Sequence, residues 1–119
     1  MVLNIIIFVF WEGGKMKQDL LNRINYFGIE TQKRKFGEEA DELKEAITEY
    51  EMANNSIYNF NFEVLRNHIA EEIVDNLALL RQFQLYYGIS DERIIEIFEF
   101  KNERTNFRIQ NGFYKKDRF

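Results

Sequence analysis

The chain has 119 residues, with 16 basic against 20 acidic side chains and a formal charge of −4, which leaves room for one domain with a modest core and too little for two. Such a balance supplies no global positive field to draw nucleic acid or an anionic membrane. With no cysteine and a single histidine, His68, it excludes disulfides, thiolate zinc sites, cysteine nucleophiles and histidine-rich metal sites. Any metal must therefore be held by oxygen, and the lack of cysteine fits a cytoplasmic chain. Absent proline, sparse glycine and a body rich in Glu, Lys, Leu, Ile and Phe predict an all-α protein.

Met1 to Trp11 is almost wholly apolar, yet it falls well short of the roughly twenty residues that span a bilayer. It also lacks the leading positive charge and the small-residue cleavage site of a secretory signal. Two readings stand. The β-branched and aromatic content of Ile5 to Phe10 suits a strand or an oligomer contact. Alternatively, and preferred here, Met16 is the native start, because Glu12-Gly13-Gly14-Lys15 fits the coding of a purine-rich ribosome-binding site. Residues 1–15 are thus set apart from a domain over 16–112 and a tail over 113–119.

From Lys17 to Phe27, Leu20, Leu21, Ile24 and Phe27 recur at helical steps until Gly28 interrupts them. A second helix is expected from about Ile29 to Met52, with Ile29, Phe36, Ala40, Leu43, Ile47 and Tyr50 on one face, ended by Asn54-Asn55-Ser56. After a loop, Asn61 is placed to cap a third helix, about Phe62 to Tyr87, whose apolar side carries Leu65, Ile69, Ile73, Leu77, Leu80, Phe83 and Tyr87. Gly88 closes it. Ser90 caps a fourth helix with Asp91 and Glu92 in its first turn, and Gly112 stops it.

At about 100° per residue, Glu39 falls between the core positions Leu43 and Ala46, with Glu42 at the edge of that face and Glu38 outward. The third helix repeats the arrangement: Glu72 and Asp75 lie beside the arc of Leu65, Ile69 and Ile73, and Glu71 turns toward solvent. One such pair is ordinary on a solvated helix face. Two inward pairs on successive helices are costly through repulsion and lost hydration unless a cation neutralises them, and Mg²⁺, with Mn²⁺ as the alternative, suits an all-carboxylate set. His68, one turn before Glu72, shares its face as a candidate partner behind the ligands, or as an ordinary helix histidine.

The run Gln32-Lys33-Arg34-Lys35-Phe36-Gly37-Glu38-Glu39-Ala40-Asp41-Glu42-Leu43 resembles the first signature of the MazG-like all-α NTP pyrophosphatases, and Glu71-Glu72-Ile73-Val74-Asp75 resembles the second. The first is also similar to that of the phosphoribosyl-ATP pyrophosphohydrolases. The resemblance covers roughly Leu20 to Gly112 and implies a four-helix bundle completed by oligomerisation, as a homodimer or homotetramer. It implies that Glu39, Glu42, Glu72 and Asp75 hold the metal and serve catalysis. It further implies phosphate contacts from the helix after the second acidic pair, where Lys101, Arg104 and Arg108 stand; Thr105 occupies a position that is Asn in several relatives. Ordinary pairing with Glu99 and Glu103 is the competing account of Lys101 and Arg104. Gln32 and Lys35, at the start of the second helix, are candidates for substrate contact, Gln32 for the base.

The activity implied is attack of water on the α-phosphorus of a nucleoside triphosphate, giving the monophosphate and pyrophosphate. Two alternatives accompany it. One is a phosphoribosyl-ATP pyrophosphohydrolase working on a modified nucleotide; the other is a noncatalytic helical module that binds nucleotide or a protein partner. A di-iron carboxylate bundle is a distant third, because the Glu-x-x-His elements it needs are missing.

Overall fold

The structure is a computed structural model that describes residues 14–114. The expectations for Met1 to Trp11 and for the tail beyond Tyr114 lie outside those residues. Four α-helices follow one another: α1 (Gly14–Phe27), α2 (Ile29–Asn54), α3 (Phe62–Tyr86) and α4 (Asp91–Gln110). No strand occurs among the described residues, so the all-α expectation holds. Because α1 begins at Gly14, the boundary drawn at Met16 falls inside a helix.

Local chemistry sets the helix ends. The Asn61 side chain accepts a hydrogen bond from the Val64 amide, and Ser90 accepts one from the Arg93 amide, each satisfying a donor that the first helical turn leaves free. At the other end of α3, Gly88 takes φ +66°, and the Ile89 amide turns back to the carbonyl of Gln84. A side chain there would be strained, which is why the helix closes on glycine.

The centre of the molecule is the antiparallel pairing of α2 with α3. On α2 one line of shielded residues runs through Gln32, Phe36, Glu39, Leu43, Ala46, Tyr50 and Ala53, alternating steps of four and three. That spacing keeps one narrow seam facing a neighbouring helix. On α3 the matching seam is Leu65, Ile69, Glu72, Asn76, Leu79 and Phe83. Edge-to-face rings pin the two together, Phe36 on Phe83 at 5.8 Å and Tyr50 on Phe62 at 5.4 Å between centroids. α1 lies against the pair and buries Leu20 and Ile24.

The seam differs from the face expected for the third helix. Ile73 and Leu80 are 44% and 46% exposed, and Tyr87 is exposed as well. In their place α3 buries Asn76, Leu79, Arg81, Gln82 and Gln84. The buried side is one position off the most apolar stripe, because its polar members find partners across the packing: Asn76 the Glu39 carbonyl, Gln82 the Gln32 side chain, and Arg81 and Gln84 the Asp91 carboxylate. α4 is different again: it buries no residue and does not pack along the other three helices. It is held at its first turn, where Asp91 accepts hydrogen bonds from Arg81 and Gln84 and lies 3.4 Å from Lys17 Nζ. No helix among the described residues is long and apolar enough to cross a membrane.

Candidate metal centre

Glu39 and Glu72 are seam residues, so the coiling of α2 against α3 turns their carboxylates toward each other. Asn76, also in the seam, fastens the backbones behind them: its Nδ2 donates to the carbonyls of Glu39 (3.0 Å) and Glu72 (2.7 Å). A single buried amide thus fixes the register of the two helices at the point where the acids meet. Asp75, exposed and one turn on from Glu72, completes a group in which one oxygen from each of Glu39, Glu72 and Asp75 lies within 4.8 Å of the others. Glu42 is outside that group, although it stands close enough to Glu39 for the two carboxyl groups to interact.

The two buried carboxylates use their oxygens in the same way. Glu39 Oε1 lies 3.5 Å from Lys35 Nζ, and Glu72 Oε1 lies 3.6 Å from His68 Nε2. The second oxygens, Glu39 Oε2 and Glu72 Oε2, are enclosed and meet no hydrogen-bond donor. Both side chains are only 12% exposed. At about 4 Å and an effective dielectric of about 20, two like charges repel by roughly 4 kcal/mol. The carboxyl groups register this strain. The charge of Glu39 raises the affinity of Glu42 for its proton, while burial, followed by the charges of Glu39 and Asp75, raises that of Glu72. A hard divalent cation fits this donor set: it takes oxygen ligands, it needs no hydrogen, and it cancels the charge that the fold has crowded together.

Beside the acids, between α1, α2 and α3, opens a cleft of about 400 Å³. Glu39 and Asp75 form its acidic end. Gln32 and Gln82 are buried in its wall and joined, Gln32 Nε2 donating to Gln82 Oε1 at 2.7 Å, while Gln32 Oε1 is left without a donor. Arg23, Phe27, Thr31, Lys35 and Ala78 complete the lining. An aromatic ring, buried amides and two cations next to converging carboxylates can accommodate an anionic, ring-bearing ligand.

Of the residues singled out from sequence, Gln32, Lys35, Glu39, Glu72 and Asp75 come together, with Glu42 at their edge. Lys101, Arg104 and Arg108 are on α4, are not in the cleft lining, and form no ion pair among the described residues, with Glu99 and Glu103 included. Arg104 instead lies over the ring of Phe100. Asn76, Gln82, Arg23 and Phe27 were missed. The four-and-three spacing would have found Asn76; nothing local distinguishes Arg23, which reaches the cleft only through the packing of α1. Compared with known proteins, the chain matches no family model, no curated protein and no solved structure.

Proposed function

We propose that the protein is a Mg²⁺-dependent nucleotide pyrophosphohydrolase of the MazG-like type, converting a nucleoside or deoxynucleoside triphosphate to its monophosphate and pyrophosphate. The observation that carries this reading is that Glu39 and Glu72, each with one enclosed, donorless oxygen, converge with Asp75 beside a cleft of nucleotide size. Bound there, Mg²⁺ would neutralise phosphate charge and make water a better nucleophile. Glu39, Glu72 and Asp75 would hold the ion. Glu42, exposed at the edge and made more basic by the charge of Glu39, would accept the proton that the attacking water gives up. Water oxygen bonds to the α-phosphorus, the bond from that phosphorus to the bridging oxygen breaks, and pyrophosphate leaves with the electron pair. Arg23 and Lys35 supply positive charge at the cleft, and Gln32 meets the base.

The same reading assigns the apolar side chains that α3 and α4 expose, Ile73, Leu80, Phe98 and Phe107 among them, to contact with further copies in a homodimer or homotetramer. Lys101, Arg104 and Arg108 would then serve a site on a neighbouring copy. The cytoplasm, where nucleotides and Mg²⁺ are plentiful, is the compartment this activity needs.

The test is pyrophosphate release from a panel of ordinary and modified triphosphates, phosphoribosyl-ATP included, with and without Mg²⁺. Turnover should require the metal. Glu72→Gln and Asp75→Asn should each lower it by roughly 100-fold or more with helix content intact. Full activity in both variants would remove the metal centre, and no turnover of any substrate would leave the helical-module reading in its place.

A further inference from the structure

His68 lies between two acids on different helices. Its Nε2 faces Glu72 Oε1 at 3.6 Å on its own helix, and its Nδ1 faces Glu49 Oε2 at 3.5 Å on α2. The side chain is not needed to fill the core, since it is 45% exposed. What it touches is informative. Glu72 has one oxygen against this ring and the other enclosed without a donor, and its carboxylate belongs to the group shared with Glu39 and Asp75. A carboxylate free to rotate about its last bond would present either oxygen to the group, or neither. With an imidazole facing Oε1 and Glu49 facing that imidazole from behind, the rotation is restricted and Oε2 is left for a cation.

We propose that His68, braced by Glu49, is a positioning residue that aims the Glu72 carboxylate at the divalent cation. The arrangement spans the α2–α3 seam, so it also links the aim of a ligand on α3 to the placement of α2, which carries Glu39. Lys35 does the corresponding work for Glu39 from the other side, at 3.5 Å from Oε1. The inference rests on the metal-centre reading above and adds to it the residues that orient a ligand without touching the ion.

The experiment uses the full chain and Mn²⁺ as probe, with affinity read from the paramagnetic resonance of the free ion and from calorimetry, so that no turnover is needed. His68→Leu should weaken Mn²⁺ binding by about tenfold or more, within the range found when partners behind metal ligands are removed. His68→Gln, which returns an N–H donor toward Glu72, should recover most of that loss. Glu49→Leu should weaken binding in the same direction, and Glu49→Gln, which keeps an acceptor for the ring, should weaken it less. The melting temperature of the metal-free protein should be nearly the same in all of them.

Equal Mn²⁺ affinity in His68→Leu and the unaltered protein overturns the inference and leaves the metal centre standing. Equal losses in His68→Leu and His68→Gln, accompanied by lower metal-free melting temperatures, also overturn it, because the ring would then be a packing element. Absence of Mn²⁺ binding in the unaltered protein removes the metal centre itself, and the inference with it.

Discussion

The α2–α3 seam and helix α4 divide the molecule's chemistry in opposite ways. The seam and its flank enclose polar and charged groups, Gln32, Glu39 and Asn76 in the seam and Gln82 beside it, and let apolar residues one step away remain in contact with water. α4 encloses nothing and exposes Phe98, Phe100, Phe107 and Ile109. The first region gives up hydrophobic burial and brings acids together. The second leaves apolar surface unburied, the surface that the proposed oligomer would cover. A fold built for stability alone would exchange the two.

The sharpest way to break this contrast is at the joint between the regions. Arg81 is 1% exposed, and Asp91 is its acceptor on α4. Asp91→Ala removes that acceptor from Arg81 and also from Gln84 and Lys17, and should cost roughly 3 kcal/mol of stability in urea denaturation. The loss should appear first as fraying of α4, read by hydrogen exchange, with protection in α2 largely kept. A smaller effect of opposite sign is expected in the seam. Glu39→Gln relieves a crowded charge, so the metal-free protein should melt at a temperature equal to or above that of the unaltered chain, while stabilisation by Mg²⁺ disappears.

Acidity should separate the regions further. Burial opposes ionisation of Asp91, but hydrogen bonds from Arg81 and Gln84 and the charges of Arg81 and Lys17 outweigh it and hold the carboxyl below its ordinary 3.8. Its stabilisation is therefore complete above pH 3.8 and is lost as the pH falls through the lower folded value. Glu42 and Glu72 lie above their ordinary 4.5, so the folded chain favours their protonated forms and loses stability as the pH rises from 4.5 through the raised values. Acid thus loosens α4 and relaxes the seam. The increase in melting temperature caused by Mg²⁺ should accordingly grow between pH 4.5 and 7, and a pH-independent increase would count against the carboxylate site. Smallest of all, Leu80→Glu should change the stability of an isolated chain by no more than about 0.5 kcal/mol. If that surface is an interface, the same change should reduce the oligomer in sedimentation.

The sequence made the helices legible because their punctuation is local: Asn61 and Ser90 at the starts, Gly88 and Gly112 at the ends. Glu39 and Glu72 were legible as inward acids for the same reason, since their angular position follows from helical period. The faces were less so. Ile73, Leu80 and Tyr87 drew the expected core of α3 one position away from Glu72, Asn76 and Leu79, because a hydrophobic pattern cannot register a side that is buried for its polar contacts. The cleft was the least legible part. Its lining joins Arg23 and Phe27 from α1 to Gln32 from α2 and Gln82 from α3, and their meeting depends on packing that no single stretch of sequence encodes.

The regular beat of four and three along α2, from Gln32 to Ala53, also restricts how this chain can change in length. Each residue added or removed between Phe36 and Glu39 would swing the acid by about 100° around the helix, out of reach of Asn76 and of its counterpart Glu72. Substitution on the outer faces of α2 and α3 is therefore open to drift, whereas insertions are tolerated where no register is kept, in the turn between Asn55 and Asn61. Variants of this protein that retain its chemistry should differ in that turn before they differ in the count of residues separating Gln32 from Glu39.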